Sequence, residues 1–220
     1  MTMSFDLYWS FRSPYSYLVT PRIAALVRDH EVQCVVRPVY PHAIRAPQLN
    51  AARDETWIKY FKTDIVRTAE FLGLPLAWPR PDPVATDATG RALETQPHIH
   101  RLTRLGVAAA EAGRGIEFID EVSRLLWHPA TADWTQQDVL DGAVARAGLD
   151  LSELDERVTT EGNRFEAHIQ ANQQAELKVG HWGVPVMVYK GEPFFGQDRF
   201  DQLLWRLKSD GLKPRKPAVS

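Results

Sequence analysis

The first part of the chain predicts two β-strands. In F-D-L-Y-W-S-F, apolar residues recur at the two-residue period of a strand and place on one face Phe5, Leu7, Trp9 and Phe11. The segment V-Q-C-V-V-R-P-V-Y has the same period, and one of its faces is formed by Val32, Cys34 and Val36. We therefore expect two short strands at the start of the fold.

The residues between these segments predict a helix. Ser13 stands where an N-cap belongs, and Pro14 takes the first helical position, where its missing N–H costs nothing. Pro21 lies inside the predicted helix and is expected to kink it. A strand, a helix and a second strand within about forty residues usually build a parallel pair with a right-handed crossover.

From about residue 45 to residue 175 the apolar period is that of helices. One helix is predicted over 54–72, ended by Gly73, with an apolar stripe through Trp57, Phe61, Ile65, Thr68 and Leu72. Further helices are predicted at 97–112, 115–126, 135–147, 151–159 and 162–178.

The pattern returns to strands near the end of the chain. G-V-P-V-M-V-Y-K-G-E-P-F-F-G predicts two strands joined by a turn at Lys190 and Gly191, and an amphipathic helix follows. Residues 1–44 and 176–212 are therefore expected to form one α/β domain, into which residues 45–175 are inserted as an all-helical domain. Residues 213–220 are expected to be a flexible tail.

Composition and charge limit the binding partners and the cellular compartment that we expect for the protein. The 220 residues carry 26 basic and 28 acidic side chains, and this balance gives no electrostatic footprint for nucleic acid or a membrane surface. No apolar run approaches the ~18 residues that span a bilayer, and the N-terminus lacks a signal-peptide pattern. The single cysteine, Cys34, excludes an intramolecular disulfide and is typical of a reducing compartment, so a cytoplasmic location is expected.

The segment S-P-Y-S, residues 13–16, carries the candidate chemistry. Ser13 and Ser16 occupy the positions that two cysteines take in a C-x-x-C redox motif, at a helix N-terminus that stabilises anions. A serine hydroxyl is far less acidic than a thiol, and no base is evident to activate it. Ser13 is therefore either a hydrogen-bond donor to the thiolate of a bound small molecule, or only a helix cap that contributes about 1 kcal/mol.

Two further segments have the character of ligand-binding backbone. Val184 and Pro185 open a strand, and a cis bond between them would leave nearby backbone groups free to pair with an extended ligand. Gln197 and Asp198 join the last strand to the last helix. Asp198 either caps that helix or, together with Gln197, holds an α-amino acid group.

Other candidate residues are weaker. Four aromatic residues could line a pocket or belong to the core, namely Trp9, Tyr15, Trp78 and Trp182. His98 and His100 lack further ligands at metal-site spacing, so no metal is predicted. His181 is expected on a surface loop, and Cys34 is expected to be a buried small hydrophobe.

The order of elements and three motifs resemble a known family. F-R-S-P-Y-S-Y-L, K-Y-F-K-T-D-I-V-R and G-V-P-V-M-V-Y-K-G-E-P-F-F-G-Q-D-R-F are similar to segments of the 2-hydroxychromene-2-carboxylate isomerases, which are relatives of kappa-class glutathione transferases and DsbA-like proteins. The resemblance implies an α/β, thioredoxin-like fold with a large inserted all-helical domain, and it extends over nearly the whole chain.

The resemblance also implies a glutathione site. Ser13 would hydrogen-bond the glutathione sulfur, and the backbone of Val184, before a cis Pro185, would pair with the cysteinyl part. Gln197 and Asp198 would hold the γ-glutamyl end, and Asn50 the glycyl end. A lysine of the family falls on Trp57 here, so carboxylate recognition is expected to have moved to Lys59 or Arg53.

Two classes of function follow from this reading. The leading interpretation is a glutathione-dependent isomerase, or a kappa-type glutathione transferase, that acts as a homodimer on a small aromatic or electrophilic compound. The alternative is a catalytically silent thioredoxin-like binding or chaperone module. A C-x-x-C disulfide oxidoreductase is excluded, because a serine cannot form the mixed disulfide.

Overall fold

The computed structural model describes residues 3–48 and 54–216. Four strands form one sheet in the order β2-β1-β3-β4, with bounds β1 Met3–Trp9, β2 Val32–Pro38, β3 Val186–Tyr189 and β4 Glu192–Phe195. The predicted parallel pair is present, with Leu7 opposite Val36, while β3 runs antiparallel to β1 and to β4. The first strand ends two residues earlier than predicted, because Ser10 to Arg12 turn the chain into the helix.

Apart from a short helix at His42–Arg45, which was not predicted, the helices occupy the predicted parts of the chain. Their bounds are α1 Pro14–Asp29, α2 His42–Arg45, α3 Glu55–Leu72, α4 Ile99–Glu111, α5 Gly115–Trp127, α6 Gln137–Arg146, α7 Leu151–Thr160, α8 Gly162–Lys178 and α9 Phe200–Ser209. Helices α2 to α8 lie between β2 and β3 in the chain, which confirms an α/β fold with a helical insertion. α1 continues through Pro21.

One cluster of buried apolar side chains joins the sheet to the inserted helices. It contains Leu7 and Trp9 of β1, Ile23 of α1, Phe118 of α5 and Leu203 of α9, each less than 1% exposed. A smaller cluster on Tyr8, Val39, Val186 and Val188 packs against the end of α8. The insertion therefore shares its core with the sheet.

Helix α3 departs from the predicted burial pattern. Asp54 caps its start by accepting a hydrogen bond from the N–H of Trp57, at 2.7 Å. Ile65 and Ala69 are buried, whereas Trp57, in the predicted apolar stripe, is 40% exposed. The second half of α3 is thus its docking face, and the first half projects beside the body of the protein.

The chain after α9 differs from the tail predicted for residues 213–220. Glu31 donates its N–H to the carbonyl of Lys213, and Arg215 donates its N–H to the carbonyl of Asp29, both at 2.8 Å. Residues 213–215 are therefore held against the turn after α1, since their backbone groups find partners there. Residues 217–220 lie outside the described part of the chain.

In the described residues, no helix is both long and apolar enough to cross a bilayer.

Candidate active-site cleft

A cleft of about 380 Å³ and a larger one of about 570 Å³ share α3 as a wall. The larger cleft contains Ser13 and Val184, and its size lies within the range of small-molecule sites. Its described lining is rich in aromatic side chains from α1, α3, β4 and two loops, namely Tyr15, Trp57, Tyr60, Phe61, Trp78, Trp182 and Phe195. The cleft therefore offers flat apolar walls beside Ser13 and the backbone of Val184.

Ser13 connects the helix N-terminus to the backbone before Pro185. Its Oγ accepts a hydrogen bond from the N–H of Ser16 at 3.2 Å, which confirms the predicted cap. The same hydroxyl donates to the carbonyl of Val184 at 3.3 Å. In the described chain no imidazole or carboxylate bonds this hydroxyl, so nothing makes it a nucleophile.

The loop before β3 presents Val184 to Ser13. The Val184–Pro185 peptide bond is cis, as predicted. Gly183 is required by close packing, because a Cβ at this position would lie 2.6 Å from a ring carbon of Phe195. The N–H of Gly183 donates to Nδ1 of His181 at 2.8 Å.

His181 is part of this loop's packing rather than a free surface residue. Its ring stacks on Phe195, with the ring centroids 3.8 Å apart. Burial lowers the pKa of His181, and the hydrogen bond from Gly183 requires a lone pair on Nδ1. Both effects favour the neutral imidazole at pH 7.

A buried ion pair supports the loop from behind. The guanidinium of Arg45 pairs with the carboxylate of Glu176, and their side chains are 9% and 0% exposed. Arg45 also donates to the carbonyl of Trp182 at 2.8 Å, and Nε2 of His42 donates to the same oxygen at 2.7 Å. Burial raises the pKa of the Glu176 carboxyl, and the guanidinium opposes that shift.

Tyr15 links α1 to α3 at the edge of the cleft. Its hydroxyl donates to Asp64 at 2.6 Å, and Arg67 donates to the other carboxylate oxygen at 2.5 Å. Burial, followed by the bond to Asp64, raises the pKa of Tyr15, so the phenol stays protonated. Sequence reasoning missed this contact, since nothing in the local pattern pairs residues 49 positions apart.

Gln197 and Asp198 line the smaller cleft. Arg22 holds Gln197 through one nitrogen, which donates to its main-chain carbonyl and to its side-chain oxygen, each at 2.6 Å. Burial lowers the pKa of Arg22. Asp198 lies in a 3-10 turn at residues 197–199, where it pairs with Arg199 at 3.2 Å.

The capping alternative for Asp198 is not what the structure shows. Neither the 3-10 turn nor α9 has a side-chain cap bond, and the turn begins at Gly196, which adopts φ +98°. Glycine is favoured at position 196 by this backbone conformation, which residues with a side chain rarely adopt. With a 60% exposed side chain, Asp198 remains open to a ligand.

The structure brings together only part of the predicted site. Ser13 and Val184 meet in the larger cleft, and Pro185 follows Val184 outside its described lining, whereas Gln197 and Asp198 lie in the smaller cleft. Asn50 and Arg53 lie outside the described residues. Lys59 is exposed and absent from the lining described for either cleft, whereas Lys62, which sequence reasoning did not single out, lines the larger one.

Of the remaining candidate residues, some line the larger cleft and others pack inside the protein. Tyr15, Trp78 and Trp182 line the cleft, but Trp9 is buried and donates to Thr20 at 2.9 Å. His98 packs edge-on against Trp134, and Nδ1 of His100 lies 3.0 Å from the hydroxyl of Tyr40. No metal-binding group of three residues occurs in the described ranges.

Cys34 is half-buried on β2 and packs against the main core. Burial raises the pKa of its thiol, so it is held as the neutral form. This agrees with its interpretation as a small apolar residue.

Comparison with known proteins places the chain among thioredoxin-fold proteins. The family model of the DSBA-like thioredoxin domain matches residues 5–208. The 2-hydroxychromene-2-carboxylate isomerase of Sphingobium xenophagum is 30% identical over 212 residues, covering 92% of this chain and 97% of the relative. The enzyme of the same name from Pseudomonas putida is 24% identical over 91% of this chain and 92% of its own length.

Solved structures share the fold at lower identity. A 2-hydroxychromene-2-carboxylate isomerase superposes with a TM-score of 0.67 at 19% identity, covering 94% of this chain and 98% of that chain. The cytosolic disulfide reductase DsbM of Pseudomonas aeruginosa, solved with GSH, superposes with a TM-score of 0.59 at 15% identity, covering 94% and 98%. The predicted thioredoxin-like fold is confirmed, and the chain belongs to the 2-hydroxychromene-2-carboxylate isomerase family of DSBA-like thioredoxin domains.

Proposed function

We propose that the protein is a glutathione-dependent isomerase of a small aromatic compound of the 2-hydroxychromene-2-carboxylate type. The observation that carries this proposal is the placement of Ser13. Its hydroxyl lies at the N-terminus of α1, against the backbone of Val184, in a cleft whose described walls are largely aromatic. The chain's single cysteine, Cys34, packs against the core and is absent from the described lining of this cleft, so a nucleophilic sulfur here would come from a bound molecule.

The residues present fit glutathione. The Ser13–Val184 hydrogen bond is long, at 3.3 Å, so a thiolate can replace the carbonyl as acceptor at small cost. The partial positive charge of the helix end favours that thiolate. Val184 would pair with the cysteinyl part through its backbone, while Gln197 and Asp198 would hold the γ-glutamyl group.

Glutathione held there by Ser13 and the backbone of Val184 would supply a thiolate for reversible addition to the substrate, which is the chemistry that rotation about a double bond requires. No net oxidation or reduction occurs. Ser13 donates a hydrogen bond to the sulfur, and the aromatic walls orient the substrate, which removes association entropy from the reaction. Kappa-type transfer would use the same residues and differ only in that the sulfur stays on the product.

We propose a cytoplasmic homodimer, in line with the family likeness and with one half-buried cysteine that has no partner in the chain. Light scattering on the purified protein tests the dimer directly, and a monomeric mass would contradict it.

The function is tested by isomerisation of 2-hydroxychromene-2-carboxylate followed by its absorbance, with and without reduced glutathione. The proposal predicts turnover that requires glutathione. The alternative, an inert binding or chaperone module, predicts no turnover, no affinity for glutathione and no effect of Ser13→Ala on either.

A further inference from the structure

The larger cleft has an unbalanced charge. Its described lining contains no aspartate or glutamate, and two side chains of permanent positive charge at pH 7, Arg12 and Lys62. Around them the walls are mainly aromatic and aliphatic. Because the described lining has no acidic side chain, a cation without a partner here favours an anionic ligand.

Arg12 is already compensated. Its Nε donates to one oxygen of Asp82 at 2.7 Å, and Nη2 donates to the other at 2.9 Å, in a bidentate pair. Asp82 also accepts the N–H of Val84 at 2.9 Å, so this pair is built into the loop that carries Trp78. Arg12 is therefore held in the cleft wall by its ion pair with Asp82.

Lys62 is not compensated. In the described chain it forms no ion pair, although Asp64 and Arg67 of the same helix pair with each other. It follows Phe61, which also lines the cleft, and lies one turn after Ile58 on the same face of the helix. A lysine, with one charge on a flexible stem, suits recognition of a single carboxylate.

We infer that Lys62 binds a carboxylate of the ligand in this cleft. The inference rests on the proposed function, in which two ligands bring a carboxylate near Ser13, namely the aromatic substrate and the glycyl end of glutathione. Trp57 and Phe61 stack with their ring centroids 4.9 Å apart and form the apolar part of the same wall. Lys62 is thus a specificity-determining residue that selects acids over their neutral analogues.

Two calorimetric titrations separate the carboxylate sources. The first compares 1-naphthoate with 1-naphthamide in the absence of glutathione, and the second compares glutathione with its glycyl ethyl ester. Because an exposed ion pair is modest in strength, the wild type is expected to prefer at least one acid by about fivefold. Lys62→Gln abolishes that preference, and Lys62→Arg retains it.

Lys59→Gln is the matched control, since Lys59 lies on the same helix outside the described lining. It is expected to keep every preference. A loss confined to the naphthoate pair assigns Lys62 to the substrate, and a loss confined to the glutathione pair assigns it to the glycyl end. Preferences that survive Lys62→Gln, or a wild type with none, overturn the inference.

The two titrations distinguish a failure of the proposed function from a failure of the inference about Lys62. A protein that binds neither glutathione nor its ester contradicts the glutathione site, whereas the naphthoate titration still reports on Lys62. Circular dichroism confirms that each variant is folded, which is expected because Lys62 is exposed.

Discussion

At the residue scale, Ser13 serves two roles that sequence reasoning could only set against each other. Its oxygen accepts from the N–H of Ser16 and its proton is directed at the carbonyl of Val184. The cap therefore does not compete with ligand binding, because a hydroxyl accepts and donates at once. The capping bond holds the hydroxyl in place, which under the proposed function would aim its proton at a bound sulfur.

Replacing Ser13 separates these roles by measurement. Ser13→Ala is expected to lower the free energy of unfolding by about 1 kcal/mol through loss of the cap. It is also expected to return the pKa of the bound thiol toward that of free glutathione and to reduce turnover. Urea denaturation and thiolate absorbance measure the two effects.

Ser13→Thr is the control, since threonine keeps the cap and the donor. It is expected to retain both stability and thiolate character. An alanine variant that loses stability but keeps a normal bound thiolate would show that Ser13 is only a cap.

Lys62, and not Lys59, is the lysine of α3 in the described lining of the larger cleft. Lys59 is nearest in sequence to the expected family position, yet the face of α3 toward the cleft carries Ile58, Phe61 and Lys62. The stripe predicted on α3 assumed a buried helix. Only its second half docks, so the side chains of its first half became cleft wall instead.

At the element scale, the first half of α3 is tied to α1 by a polar contact. The hydroxyl of Tyr15 donates to Asp64, and its ring meets Phe61 edge-on at a centroid distance of 5.7 Å. Ile65 and Ala69 anchor the second half. The wall formed by Trp57, Phe61 and Lys62 therefore depends on a phenol that lies within the S-P-Y-S segment.

Tyr15→Phe is expected to lower the free energy of unfolding by about 1 kcal/mol at pH 7, the usual contribution of one hydrogen bond. Tyr60→Phe is the control, because Tyr60 is 61% exposed and its hydroxyl lies 3.4 Å from Asp64. Denaturation of the three proteins in urea gives the comparison. An equal loss in both variants would contradict a specific role of Tyr15.

The loss of stability caused by Tyr15→Phe is expected to become smaller as the pH falls. Burial alone would raise the pKa of Asp64, but the hydrogen bonds from Tyr15 and Arg67 outweigh it and lower the pKa. A carboxyl whose pKa is lower in the folded state stabilises the protein above its unfolded pKa, and this stability is lost as pH falls. The difference between wild type and Tyr15→Phe is therefore expected to shrink as Asp64 becomes protonated.

At the scale of the whole molecule, the sheet and the insertion meet behind the cleft. The buried pair of Arg45 of α2 and Glu176 of α8 forms one polar network with the carbonyl of Trp182. This network joins the insertion to the loop that presents Val184. The position of the Val184 backbone thus depends on Arg45, which lies far from it in sequence.

Glu176→Gln is expected to lower the free energy of unfolding by about 3–5 kcal/mol, because Arg45 is left charged and buried. The double variant Arg45→Met, Glu176→Leu removes both charges and is expected to lose less. Urea denaturation of the single and double variants measures this difference. A double variant as unstable as the single one would contradict the argument.

The sequence predicted elements better than contacts between them. Strands and helices follow from local periodicity, so β1 to β4 and most helix bounds agree with expectation. The partnership of Tyr15 with Asp64, and of Arg45 with Glu176, joins positions 49 and 131 residues apart, and no local pattern encodes such pairs. The pattern left Trp9 open to core or cleft, with the core as the commoner place for an aromatic residue, and the structure buries it.

Calorimetric titration with reduced glutathione, with thiolate absorbance followed against pH, tests the glutathione site centred on Ser13. We predict saturable binding, a thiol pKa below that of free glutathione, and weaker binding by Asp198→Asn. Absence of binding up to millimolar glutathione, or a bound thiol with the pKa of the free molecule, would contradict the account.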